Sequence, residues 1–164
     1  MIELLGKKHD RSSFDCGKEL LNNYLKYQAG QDVKRRLSAC FVLNDSVANY
    51  IQGYYTLANS SIPLGSFPEH IQKKLPKSYL AIPATLLCRL AVDKRDQGKG
   101  IGKILLIDAL KRAYEATKVV ASFAVVVDPI DEAAVHFYGK YDFITLPDSG
   151  RMFIATMSLK ELFE

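Results

Sequence analysis

The chain has no tryptophan, only three cysteines, three methionines and three histidines, and no long apolar run. Each scarcity closes a class. Cys16, Cys40 and Cys88 are odd in number and far apart, and none falls in a CxxC or a Cys/His ligand pattern. A disulfide scaffold and a zinc or other metal site do not fit, and reduced thiols are expected. No apolar stretch approaches the roughly 18–20 residues that span a bilayer. Met1 to Asp10 has neither an apolar h-region nor a small-residue cleavage site. A cytoplasmic protein with no membrane partner is therefore expected. Strong charge of one sign is lacking too: the net charge is +4, which permits an anionic partner without demanding one. Repeats, low-complexity segments and linkers are absent, and 164 residues fit one domain, 1–164.

Against these absences stands an ordinary globular pattern. Met1 to Leu5 reads as a strand. Asp15 reads as the N-cap of a helix in which Leu20, Leu21, Tyr24, Leu25 and Ala29 recur at helical spacing. Lys34-Arg35-Arg36 closes that region, where cations suit the helix dipole. Cys40 to Leu43 and Tyr50 to Leu57 read as strands, with Gly53 a bulge or point of close approach. Glu69 to Leu75 reads as a short helix and Thr85 to Val92 as a strand that only Arg89 interrupts. Lys99 to Ala116 is a long amphipathic helix, Val119 to Val127 a strand covered on both faces, and Asp131 to Tyr141 a short helix. Phe143 to Leu146 and Met152 to Ser158 close the chain as strands. The order predicts a mixed α/β domain around a central sheet.

The stretch from Arg89 to Lys103 runs from strand through a glycine-rich turn into the long helix. Unpaired amides and the positive end of the dipole suit an anion there. A Walker A loop needs a hydroxyl after Gly-Lys, but Ile104 follows Gly102-Lys103, and the spacing from Gly98 is one residue short. The GxGxxG spacing of dinucleotide folds is also missing. Gln/Arg-x-x-Gly-x-Gly/Ala does fit, as Gln97-Gly98-Lys99-Gly100-Ile101-Gly102.

With that motif, Leu87-Cys88-Arg89-Leu90-Ala91-Val92 before it and Ala133-Ala134-Val135-His136-Phe137-Tyr138 after it, the chain resembles the GCN5-related N-acetyltransferases along nearly its whole length. The resemblance implies a central, mostly antiparallel sheet of six to seven strands with about four helices and a V-shaped acetyl-CoA slot. It implies that Gln97, Gly98, Lys99, Gly100, Ile101, Gly102 and Lys103 hold the pyrophosphate. It also places Leu90, Ala91 and Val92 along the pantetheine arm, with Asp128 and Phe137 lining the slot. Tyr138 stands where many members carry a tyrosine near the thioester sulfur. A phenol near ~10 keeps its proton at neutral pH and can assist a thiolate whose thiol ionises near ~8.5. No strong general base is evident, because Glu19, Glu69, Asp93 and Asp128 are scattered. Such a site favours an α-amine over a lysine.

Phe14-Asp15-Cys16-Gly17, Gly53-Tyr54-Tyr55-Thr56-Leu57, Lys73-Lys74-Leu75-Pro76 and Arg89-Leu90-Ala91-Val92 narrow the resemblance to the acetyltransferase toxins of bacterial type II toxin–antitoxin systems. These acetylate aminoacyl-tRNA and block translation. The resemblance implies charged tRNA as substrate, a ribbon–helix–helix antitoxin as partner, and admits a homodimer. Lys34, Arg35, Arg36, Lys73, Lys74, Lys77 and Arg89 are the basic residues available to RNA. Acetylation of a small amine or protein N-terminus is the alternative chemistry, and a CoA-holding or antitoxin-binding module without turnover the alternative class. Three departures from the family pattern are Cys88 before Arg-Leu-Ala, Pro129 after Asp128, and Asp142 in place of a glycine. Asp tolerates left-handed backbone, so the last turn is expected to survive.

Overall fold

A computed structural model describes residues Met1–Glu164. Seven strands form one sheet in the order β1-β2-β3-β4-β5-β7-β6. They are β1 (Ile2–Leu4), β2 (Ala39–Asp45), β3 (Tyr50–Pro63), β4 (Ala81–Val92), β5 (Ala124–Val127), β6 (Ile144–Thr145) and β7 (Met152–Ala155). The β4–β5 pair is parallel, whereas β1–β2, β2–β3, β5–β7 and β6–β7 are antiparallel. The helices are α1 (Glu19–Asn23), α2 (Ala29–Lys34), α3 (Glu69–Gln72), α4 (Ile101–Ala116), α5 (Glu132–Gly139) and α6 (Lys160–Phe163). The mixed, mostly antiparallel sheet is the one expected. By internal packing the chain forms two compact units, Met1–Ala58 with Cys88–Ala109, and Asn59–Leu87 with Leu110–Glu164.

In the first unit, Phe14, Leu21, Tyr24, Leu25, Val42, Ile51 and Tyr54 pack into a core with Ala91 of β4. The helical spacing of the Leu20–Ala29 region supplies this face, but α1 and α2 are not one helix. A π-helical turn, Tyr24–Gln28, lies between them. Asp15 is not the cap. Lys18 occupies that position without a side-chain bond. Asp15 instead accepts from the Gly17 amide and the Asn22 side chain, both at 2.9 Å, so its carboxylate braces the turn ahead of the helix.

Gly53 is a point of close approach, and the bulge falls beside it at Gln52. The β2–β3 register slips between Leu43 and Asn44, opposite Gly53 and Ile51. A Cβ on Gly53 would lie 2.7 Å from Leu105 Cδ1 and 2.9 Å from the Ala91 carbonyl oxygen. Only hydrogen lets β3, β4 and α4 approach this closely.

In the second unit, Ile62, Phe67, Ile82, Ala84, Ala124, Val126, Leu146 and Phe153 form the core. Phe67 meets Phe123 and Phe153 edge-on at 5.8 and 5.1 Å, the arrangement ring quadrupoles favour. The expected strand from Val119 shrinks to Ala124–Val127, all four residues buried. Val119 and Val120 are 88% and 67% exposed, and both amides bond back to the Ala116 carbonyl at the end of α4. Their β-branched side chains resemble strand, but the helix end claims their backbone first.

Candidate phosphate-binding turn and aromatic helix

The β4–β5 ladder ends at Leu87↔Val127. Cys88 to Val92 run on without β5, so one edge of their backbone is left without a strand partner on that side. Ala91 is buried in the core, while Leu90 and Val92 are half-buried. Such an edge can pair with an extended ligand as a peptide adds to a sheet.

The turn after β4 is fastened by two buried carboxylates. Asp93, 1% exposed, accepts from the Asp15 amide at 3.1 Å, the Arg95 amide at 2.9 Å, and Arg95 Nε and Nη2 at 2.8 and 2.9 Å. Burial alone would raise its pKa. The Arg95 guanidinium and the amides outweigh that and hold it below the ordinary carboxylate value. Asp96, also buried, accepts from the Tyr50 hydroxyl at 2.9 Å, Lys99 Nζ at 3.3 Å and Gln52 Nε2 at 3.4 Å. The Gln97 amide nitrogen spans the Val92 and Cys16 carbonyls at 2.9 and 3.0 Å. What Gln97 offers a ligand is therefore its backbone.

Gly98 and Gly100 have φ of +79° and +82°, and a Cβ on either would meet nothing within 4 Å. Conformation, not crowding, requires glycine there, and the outer side is open. The Ile104 amide makes the first helical bond, to the Gly100 carbonyl at 3.2 Å. Ahead of it, the amides of Ile101, Gly102 and Lys103 have no intrahelical acceptor, and they stand at the positive end of the 16-residue α4. Open space, orphan amides and dipole together fit a phosphate.

On the second unit, the Asp131 carboxylate caps α5 by accepting the Ala134 amide at 2.8 Å. The helix carries half-buried Phe137 and buried Tyr138, whose ring lies 5.2 Å from those of both Phe137 and Phe143. Asp142 takes φ +68°, the left-handed geometry expected of this substitution. Asp128 is exposed beyond β5 and His136 is exposed on α5.

Of the basic residues, Lys34, Arg35 and Arg36 are exposed at the end of α2 in the first unit, and Lys73, Lys74 and Lys77 are exposed after α3 in the second. Arg89 is half-buried, with its guanidinium over the Tyr24 ring. None of the carboxylates considered as a base suits that role. Glu19, Glu69 and Asp128 are exposed, and Asp93 is saturated by donors. Sequence reasoning missed Asp96, Tyr50 and Gln52 as the fastening of the turn. The only available signal was two aspartates just ahead of a glycine turn, and Asp15, Tyr50 and Gln52 lie far from them along the chain.

An extended strand, a phosphate-ready turn and a long helix in an open mixed sheet define an α/β protein that binds a phosphate-bearing ligand. Residues 72–153, half of the chain, match the model of the acetyltransferase (GNAT) domain family. The chain belongs to that family. It is 33% identical over 138 residues to a tRNA-acetylating toxin of Mycobacterium tuberculosis, covering 84% of this chain and 80% of the relative. The solved structure of AtaT complexed with acetyl-methionyl-tRNA superposes with a TM-score of 0.91 at 30% identity, covering 100% of this chain and 99% of that one. A mutant AtaT toxin bound to acetyl-CoA and the C-terminus of the antitoxin AtaR gives 0.82 at 27% identity, covering 99% and 97%.

Proposed function

We propose that this chain is a cytoplasmic toxin, one acetyltransferase domain over 1–164, that transfers acetyl from acetyl-CoA to the α-amine of aminoacyl-tRNA. The observation that carries this reading is its end-to-end likeness to AtaT complexed with acetyl-methionyl-tRNA, beside its 33% identity to a tRNA-acetylating toxin. A ribbon–helix–helix antitoxin is the proposed partner, in keeping with the antitoxin-bound neighbour. No helix is long and apolar enough to cross a membrane.

Acetyl-CoA supplies a thioester whose carbonyl carbon accepts the amine. The amides of Ile101, Gly102 and Lys103 hold its pyrophosphate, with the backbone of Gly98 to Gly100 leaving room. Leu90, Ala91 and Val92 pair with the pantetheine arm, and Asp128 and Phe137 of the second unit are further residues proposed for cofactor binding. Tyr138 assists departure: as the carbon–sulfur bond breaks, the phenol donates its proton to sulfur, the amine nitrogen gives up its own proton to solvent, and solvent returns a proton to the phenolate. With Glu19, Glu69 and Asp128 exposed and Asp93 saturated by donors, the amine arrives neutral. An α-amine near ~7.7–8.0 does so far more often than a lysine near ~10.4.

The test offers the purified protein charged tRNA, free amines and peptide N-termini with labelled acetyl-CoA. Label should enter charged tRNA. Label only in a small amine or peptide would move the enzyme to the alternative substrates, and no transfer at all would leave a binding module. Tyr138→Phe should cut acetylation while acetyl-CoA affinity persists. Unchanged turnover removes Tyr138 from the reaction.

A further inference from the structure

Two arginines of this chain lie over tyrosine rings, and their surroundings differ. Arg95 sits 3.8 Å from the Tyr50 centroid, and its N–H groups are taken up by Asp93. Arg89 sits 3.4 Å from the Tyr24 centroid, and no carboxylate pairs with it. It lies two residues before Ala91, hence on the same strand face, at the margin of the core that holds Ala91, Tyr24 and Tyr54. A ring satisfies the face of a guanidinium but none of its N–H donors. The N–H groups of Arg89 are not buried away from solvent, so they are open to a ligand with acceptor oxygens.

The platform is itself held. Tyr24 donates its hydroxyl to Asp32 Oδ2 at 2.8 Å, and Gln28 Nε2 reaches the same oxygen at 3.4 Å. Its ring is nearly parallel to that of Tyr54, 6.4 Å away at 15°. Tyr24 and Asp32 are 8 residues apart. On a plain α-helix, steps of about 100° would leave them about 80° apart around the axis. The widened π turn between them absorbs roughly one step and returns Asp32 to within about 20° of Tyr24. The irregular turn thus serves the Tyr24–Asp32 bond.

We propose that Tyr24, anchored by Asp32, is a positioning residue that presents the Arg89 guanidinium to a phosphate of the acceptor RNA. This rests on the aminoacyl-tRNA reading above. The planar fork of arginine suits a phosphate's paired oxygens. Phosphates of the donor are the other source of that chemistry, so donor and acceptor must be measured separately.

The experiment determines KM for charged tRNA and for acetyl-CoA over a salt series, in the parent, Arg89→Ala, Tyr24→Leu and the double variant. Filter binding of charged tRNA without acetyl-CoA is run alongside. Both single variants should weaken charged tRNA about tenfold and flatten its log–log salt slope by roughly 0.7, the share of one single-strand phosphate. The acetyl-CoA KM should stay within about twofold, and the double variant should be no worse than Arg89→Ala, as coupled residues require. If Tyr24→Leu does not fold, Tyr24→Phe carries the test. Freed from Asp32, its ring should weaken charged tRNA about threefold, and this effect should vanish in the Arg89→Ala background. An unchanged salt slope, fully additive losses, or a rise confined to acetyl-CoA overturns the proposal. Failure of the parent to acetylate charged tRNA is a different result and overturns the functional reading beneath it.

Discussion

The two compact units set their candidate site residues among different contacts. In the first, tyrosine hydroxyls donate to fixed acceptors: Tyr24 to Asp32, Tyr50 to Asp96, Tyr55 to Asp108 and Tyr54 to the Leu21 carbonyl. Both buried carboxylates, Asp93 and Asp96, are there. In the second, phenylalanines meet edge to face around Phe67, and Tyr138 is wedged between Phe137 and Phe143. A turn that must expose its amides cannot be buried in hydrocarbon, so directional bonds from beneath must set its shape. A single aromatic side chain needs only close neighbours, and dispersion and ring geometry suffice.

The sharpest way to break this contrast is to remove one support from each unit. Asp93→Ala leaves the Asp15 and Arg95 amides without their acceptor, and should cost about 1–3 kcal/mol. Phe153→Ala should cost about 3–5 kcal/mol through a cavity. Only Asp93→Ala should also weaken acetyl-CoA, because only it frees the turn. Denaturant melts paired with acetyl-CoA titration check this, and equal loss of affinity in both variants would erase the distinction.

Two glycines of the first unit then separate crowding from conformation. Gly53→Ala drives a methyl against the Ala91 carbonyl and Leu105, and should destabilise by about 1–3 kcal/mol. Gly98→Ala meets no atom, so only its positive φ is penalised, about 1–2 kcal/mol. Its larger effect should appear in acetyl-CoA binding.

On the second unit, Asp131→Ala should lower stability by about 1 kcal/mol through loss of the α5 cap, and Asp131→Asn should recover most of it. Thermal melts of the two variants decide this.

The smallest effect concerns pH. Burial, and then the bond to Asp32, pushes the Tyr24 phenol up to about 12 from its ordinary 10. Above pH 10 the unfolded chain loses this proton while the folded chain keeps it. The stabilisation is therefore complete below pH 10 and disappears as pH rises toward 12. At pH 11 the loss should be about 1 kcal/mol, and it should be missing from the difference between pH 9 and pH 11 melts of Tyr24→Phe.

Much of this was legible along the chain, wherever the cause is local. Gly98 and Gly100 declare left-handed backbone, the Ile101 to Ala113 spacing declares a helix, and Ala124 to Val127 declare a strand buried on both faces. Asp142 announces its own left-handed turn. Errors arose where a neighbour intervened. Val119 and Val120 carry strand side chains but answer to the end of α4, and Asp15, a natural cap by type, is drawn to Asn22 and Gly17.

Sequence spacing and backbone preference were enough to place an anion-binding turn between a strand and a long helix, and to point to the acetyltransferase family. These depend on residues a few positions apart, whose interactions any chain must form early and nearby. Folding alone decided what steadies that turn and what faces Arg89. Asp93 reaches the Asp15 amide across 78 positions and Asp96 reaches Tyr50 across 46. Arg89 could equally have met a carboxylate as a ring. Local composition sets the energy of a turn, but packing selects the partner of a buried charge, because every distant donor and acceptor competes for it.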